Sequence, residues 1–501
     1  MRTLATNMGG LARALPVALV LGMVAGACTD TESVFVDRPP FDQPTDQVNN
    51  YLGYVTVDPT VPPEETQVTS CGNCHATFQS GWSTTGHFDA WDGLQSSGHA
   101  QDFCTPCHTV SGLGSSTPAP GGYTTTQDTR YVDVQCESCH GTGWDHVNAP
   151  TTTAPLASIA VDTATTNGCD ACHHDTHHPF VEEWGNSRHA VTSFASGRED
   201  CAPCHEGRAA IERKFFSQND YVEKFEPDAI QPIVCVVCHN PHGSDFDANL
   251  RAPTDEGSLN HLCVRCHANR GTPPSSHGPH AAQGLLLLNE DVGWIAPGTT
   301  LPTANAHGSP KNEEMCITCH VNMFEVDDSE GEFLIAVVGH RFEAIPCLDA
   351  DGVPTDGPCT TDDRDFSACA DCHGSESAAQ EAFEDNWADI NVLLDSLWTD
   401  TNNDSIMDAF PTDAGLLPMV VAQGDTVQID CTDQLVTVGE GALWNAQLAY
   451  TSDRVYWGDM TVFGEHCSAH KASGNGVHNP SLLEALLESS INAVIQAYLT
   501  P

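Results

Sequence analysis

Nine times between Cys71 and His373 the chain repeats Cys-x-x-Cys-His without a departure. The motifs read CGNCH from Cys71, CTPCH from Cys104, CESCH from Cys136, CDACH from Cys169, CAPCH from Cys201, CVVCH from Cys235, CVRCH from Cys263, CITCH from Cys316 and CADCH from Cys369. Their starts step by 33, 32, 33, 32, 34, 28, 53 and 53 residues, which makes them an internal repeat. So few residues per motif cannot enclose an ordinary apolar core, since a segment that short leaves much of its surface in water. Whatever binds at the motifs has to supply the interior.

The spacing names the group. Two thiols three positions apart reach the two vinyl groups of one haem, and the histidine that follows is placed to ligate its iron. A zinc site would need paired CxxC units or a separate histidine pair to close a tetrahedron, and has no use for a histidine after every second cysteine. The motifs therefore predict nine covalent haems of the c type. Attachment falls to Cys71, Cys74, Cys104, Cys107, Cys136, Cys139, Cys169, Cys172, Cys201, Cys204, Cys235, Cys238, Cys263, Cys266, Cys316, Cys319, Cys369 and Cys372. The proximal ligands are His75, His108, His140, His173, His205, His239, His267, His320 and His373.

Sixteen of the 25 histidines lie outside the motifs, enough to give every iron a second axial ligand. The expected ones are His87 (WSTTGHFDAW), His99, His189, His307 and His340, each before a motif, and His146 (CESCHGTGWDH), His177 (CHHDTHHPF), His242 (CHNPHGS) and His277 (SSHGPH). His174, His178, His261, His280 and His478 stand in reserve. Methionine is scarce near the motifs, with only Met315 and Met323 close, so bis-histidine ligation and low potentials are expected.

The first 27 residues carry Arg2 and Arg13, then an apolar run from Leu15 to Val24, then small residues up to Cys28. This is an export signal, too short for a membrane span of roughly 20 apolar residues. Cys28 stands where a bacterial lipobox has its acylated cysteine. With Thr29 next, the resemblance to lipoproteins implies an anchor in the outer membrane and a cell-surface or periplasmic protein. Residues 28–70, rich in Asp, Glu, Pro and Thr, read as a tether. Against 68 acidic residues the chain has 18 basic ones, a formal charge of −50. Such a surface repels nucleic acid and anionic lipid, and suits basic proteins, cations or positively charged minerals. A high-salt habitat explains the same acidity equally well.

The expected architecture is mainly α with extensive irregular loops, the haems of residues 71–373 forming the core. Cys347 and Cys359 flank a short polar loop and suit a disulfide. In residues 374–501 an amphipathic helix follows the last motif and runs into Asp400 to Asp408, a stretch with carboxylates and amides at alternate positions. That stretch resembles a calcium loop, although Ser405 stands at the glycine position and no glutamate closes it. Minor β structure is expected at MVVAQGDTVQID, a disulfide between Cys431 and Cys467, and a closing helix from Pro480 with His478 in reach of a haem.

VQCESCHGTGWDH, EEWGNSRHA and CGNCHATFQSGWSTTGH resemble the multihaem cytochrome c superfamily, which includes the tetrahaem cytochromes of nitrifiers and the hydroxylamine oxidoreductases. CVVCHNPHGS resembles the doubled-CxxCH modules of respiratory decahaem cytochromes. The resemblance implies electron transfer at the envelope, with other redox proteins, an outer-membrane conduit, or an extracellular mineral or cytochrome as partner. Relatives that reduce nitrite often replace a motif histidine by lysine, and no motif here departs from CxxCH. Two alternatives stay open. One is an oxidoreductase of the nitrite reductase or hydroxylamine oxidoreductase type; the other is a self-associating filament, with His261, His280, His466, His470 or His478 ligating a neighbour's haem.

Overall fold

Each motif folds as a tight turn, because one helical turn is what brings cysteines at i and i+3 to the same side. Cys136–His140, Ala202–His205, Cys235–Cys238, Cys316–His320 and Ser367–His373 are short helices, while Cys71–Asn73 and Cys169–Ala171 are 3₁₀ turns. Glycine stops two of them: Gly374 (φ 88°) takes the left-handed conformation that closes a helix without a Cβ penalty, and Gly141 (φ 77°) turns the chain out at a positive φ with extended ψ. The computed structural model describes residues 41, 44–45, 50–55, 60–114, 121–155, 161, 168–216, 229–274, 278–303, 305, 307–308, 310–357, 359–398, 415–425, 427, 435–449 and 476–500. The chain divides into Met1–Asp42 and Gln43–Pro501, and every element named here lies in the second unit. The expected export signal, Cys28, His277, Asp400 to Asp408, Cys431, Cys467, His466 and His470 lie outside the described residues.

Around the motifs the apolar clusters are small. Val161, Ala210, Ile211, Val234 and Val237 form one; Tyr51, Val110 and Tyr131 another; Tyr54, Trp82 and Val132 a third. The tether expected over residues 28–70 ends earlier than that. Tyr51, Leu52 and Tyr54 are buried, and the backbone N–H groups of Leu52 and Gly53 donate to the Glu137 carboxylate at 2.8–3.0 Å. Two tyrosines and a leucine carry too much apolar surface to stay in water when a groove beside the third motif can cover it.

The two long steps between motifs hold different things. Between the eighth and ninth motifs, β1 (Phe324–Asp327) pairs antiparallel with β2 (Phe333–Val337), and β3 (Cys347–Leu348) with β4 (Pro354–Thr355). The Cys347–Cys359 disulfide closes the second hairpin, its Cα atoms 5.9 Å apart. The minor β structure therefore sits here. Its expected place in the C-terminal part is a correction, since Leu416–Ala422 is helical and buries Leu417 and Val420 among other helices. Tertiary packing overrides the strand propensity of Val420 and Val421.

The haem-free helices form the one large apolar cluster among the described residues. We label α1 (Gly207–Lys214), α2 (Gln283–Leu288), α3 (Glu376–Leu397), α4 (Leu416–Ala422), α5 (Val438–Leu448) and α6 (Pro480–Val494). Leu286 of α2, Ile390 and Leu394 of α3, Leu417 of α4, Ala446 of α5 and Leu486 of α6 meet in it, each fully buried. Their starts are capped in the ordinary ways: Ser375 accepts from Ala378 N–H, Thr437 and Glu440 form a capping box, and Asn479 accepts from Leu482 N–H ahead of Pro480. Gly441 lies under the Trp294 ring, where a Cβ would fall 2.1 Å from the indole. Asn445 clasps the same residue, accepting from Trp294 N–H (2.7 Å) and donating to its carbonyl (2.8 Å).

Candidate haem sites

The eighteen motif cysteines form no disulfide and stand where the thioether sulfurs of attached haem would be. Opposite them the histidines fall into pairs. Ring centroids are 6.2 Å apart for His75 and His146, 6.1 Å for His173 and His87, 6.0 Å for His140 and His242, and 6.3 Å for His267 and His189. They are 6.0 Å apart for His205 and His280, and 6.2 Å for His239 and His340, His373 and His307, and His320 and His478. Two metal–imidazole bonds of about 2 Å each, plus about 1 Å from each nitrogen to its ring centre, come to about 6 Å. Eight motif histidines thus face a partner at the separation an intervening iron requires, and the residues fit the group.

Second hydrogen bonds fix which nitrogen is offered. The Nδ1 of His146 is 2.6 Å from the Thr153 carbonyl, that of His239 2.7 Å from Ala248, that of His320 2.8 Å from Phe342 and that of His340 2.9 Å from Val338. Nδ1 of His307 lies 2.5 Å from the Val477 carbonyl, and Nδ1 of His108 lies 2.8 Å from that of Ala90. A carbonyl can only accept, so the proton sits on Nδ1 and the Nε2 lone pair is free for a metal. Burial keeps several rings neutral: it holds His87 below the usual histidine range and, with a second histidine nearby, pushes His173, His189 and His242 down to about 4.

Of the nine second ligands expected, His87, His146, His189, His242, His307 and His340 each face a motif histidine. The other two partners are His280 and His478, held in reserve on sequence. His478 had a signal, the Asn-Pro that starts α6; for His280 nothing separated it from His277 three residues before. His177 and His99 are corrections. The first stacks on Phe333 of β2 with centroids 4.7 Å apart, the hairpin drawing its ring away, and the second is exposed just past the helix Ala90–Ser96. Of the remaining reserves, His174 pairs with Asp175 at 3.2 Å. His261 is fully buried, accepts the Cys263 N–H at Nδ1 (3.2 Å) and sets Nε2 3.4 Å from the Glu314 carbonyl, tying the seventh motif to the eighth. Among the described residues His108 is the motif histidine that no histidine ring faces at about 6 Å; His178, in the tail of the fourth motif, is in its electrostatic reach.

The motifs touch one another through their sulfurs. Cys71 bonds Cys136, Cys107 bonds Cys172, Cys169 bonds Cys235, Cys204 bonds Cys266 and Cys263 bonds Cys316. Cys139 lies within electrostatic reach of Cys169, Cys238 of Cys263 and Cys266, and Cys319 of Cys369 and Cys372. Hydrogen bonds join motifs one and three, four and six, and seven and eight, and electrostatic proximity bridges three to four, six to seven and eight to nine, so these seven motifs follow one another in a line. The second hangs on the fourth, and the fifth on the seventh.

Residues 231–272 match the family described as doubled CXXCH motif, and residues 70–141 the family described as cytochrome c554 and c-prime. A stretch of 166 residues is 30% identical to the multiheme cytochrome MtrA of Shewanella baltica (strain OS185), covering 29% of this chain and 46% of that protein. The chain thus spans less than half the length of that curated relative. The crystal structure of the outer cell wall cytochrome OcwA has the same fold, with a TM-score of 0.50 at 16% identity over 85% of this chain and 98% of that one. Among the described residues no helix is long and apolar enough to cross a membrane. With its CxxCH array, its paired histidines, and both families and fold in agreement, the chain is a member of the multihaem c-type cytochromes.

Proposed function

We propose that this protein holds nine haems and carries electrons along them at the cell envelope. The observation that carries the reading is the succession of neighbouring motifs, five pairs of them joined by sulfur hydrogen bonds, since a shuttle of single electrons has no need for nine neighbouring sites. Bound haem would supply reversible one-electron exchange at iron. The chain's own part is to fix the axial pairs, keep the imidazoles neutral and hold the motifs against one another. The likeness in fold to an outer cell wall cytochrome supports a surface location. Cys28, after its run of small residues, would anchor the protein by a lipid, and its partner would be another redox protein, a conduit or an extracellular acceptor.

Intact-mass measurement on protein from a host that attaches haem is expected to find nine haems; fewer overturns the count. Resting spectra are expected to be low-spin throughout, with His178 as the sixth ligand opposite His108. A high-spin signal worth one haem would favour a second reading, an oxidoreductase with an exchangeable site at the second motif. Turnover of nitrite or hydroxylamine at respiratory rates by the purified protein would replace the carrier reading with that one. Release from membranes without detergent, with no acyl chain on Cys28, would remove the anchor, and long ordered fibres would point to self-assembly.

A further inference from the structure

Nine of the eighteen lysines and arginines of this acidic chain fall between Arg188 and Arg270. Lys214 and Arg270 converge on the fifth motif, and Arg265 ties Lys214 to the seventh. Lys214, the last residue of α1, hydrogen-bonds the Cys204 sulfur and acts electrostatically on Cys266 of the seventh motif as well. Arg265, inside the seventh motif, donates Nη1–H to the Lys214 carbonyl at 2.7 Å and lies 5.6 Å from the centre of the Phe215 ring. Arg270, half-buried, lies within electrostatic reach of His205 and Cys201.

None of the three forms an ion pair among the described residues, where the pairs are those of Arg341 and His174. Glu206, directly after the motif, is turned to backbone donors, accepting from Ala209 N–H (2.8 Å) and Gln231 N–H (3.1 Å). Glu199, Asp200 and Glu212 are exposed. The third, fourth and ninth motifs differ in sign, each carrying a carboxylate between its cysteines: Glu137, Asp170 and Asp371. Reduction of a ferric haem to ferrous adds one electron and so removes one positive charge. A fixed cation beside it favours the reduced form, a carboxylate the oxidised form, and partial burial weakens the screening by salt.

We propose that Lys214 and Arg270 make the haem on Cys201, Cys204 and His205 the most readily reduced of the set. Placed on the side branch that touches the line at the seventh motif, it is an electron reservoir that fills first and empties last. The inference rests on the haem reading above.

The test is a reductive titration of the full holoprotein with dithionite and mediators, following the low-spin ferric signals one by one. His280→Ala opens the sixth position of this iron and identifies its signal, which should be the first to vanish in the wild type. Lys214→Gln and Arg270→Gln should each move that step to lower potential, and the double variant should strip it of first place. Lys214→Arg, Arg270→Lys and Lys311→Gln should leave it where it was. A first-reduced signal that survives in His280→Ala, or a first step unmoved by both glutamine changes, overturns the proposal. Should His280→Ala fail to accumulate, the glutamine series decides alone. A mass short of nine haems sinks the haem count, whereas nine haems with an unmoved first step sink only the reservoir.

Discussion

The motif region and the haem-free helices solve the problem of an interior in opposite ways. Residues 376–500 bury leucines and valines from α3 to α6 in one large cluster, which also takes in α2. Residues 50–373 spread their buried side chains over clusters of three to five residues, with short turns between. The first is an ordinary protein core, whose stability resides in the sequence. The second is a set of brackets around a cofactor, and its stability resides largely in what the brackets hold.

The sharpest break of that contrast is to withhold haem. Protein made without haem attachment is expected to be cut by protease first within 71–373, with α3 and α6 cut later; equal rates in both regions would end the distinction. Next in size is the reverse perturbation. Leu394→Ala or Leu486→Ala should cost about 2–5 kcal/mol in denaturant unfolding, as for other buried leucines, while the haem spectrum of the folded protein stays as it was. Within the motif region, Glu137→Gln should cost about 1–3 kcal/mol, because the carboxylate takes N–H groups from Leu52, Gly53 and Gly143 that an amide cannot all satisfy. Faster proteolysis at residues 50–55 would report the loss.

The smallest effect is one of pH. Burial raises Asp133 to about 6, even with the Tyr54 hydroxyl and the Trp91 N–H donating to it. Its folded form therefore holds the proton more tightly than the unfolded form does, with its ordinary value of about 3.9. The contribution to stability is full below about pH 4 and is lost as pH rises through about 6. Asp133→Asn should flatten this part of the pH profile, measured as the difference from wild type between pH 4 and 7.

What could be read in the chain beforehand follows the same division. The motif turns, the helix after the last motif and the helix from Pro480 are local: a spacing, a cap and a period suffice. The pairing of His87 with His173, or His189 with His267, is not local, because nothing along the chain says which motif a distant imidazole will meet. His280 was therefore not separable from His277, and His99, close to a motif in sequence, lies exposed. Tyr51 and Tyr54 were hidden by their polar surroundings, where composition outvoted three apolar side chains. The strand propensity of Val420 and Val421 gave way to helix packing that only the fold supplies.

His478 stands opposite His320 from the far side of the haem-free helices, 158 residues downstream, and Val477 beside it orients His307. As the chain is made from its N-terminus, the eighth site is still missing its facing histidine when the ninth motif has already appeared. Maturation of the array thus waits for a segment that carries no motif. A stop codon after the last CxxCH would leave every attachment point intact and still yield a protein with two compromised irons at one end of its line.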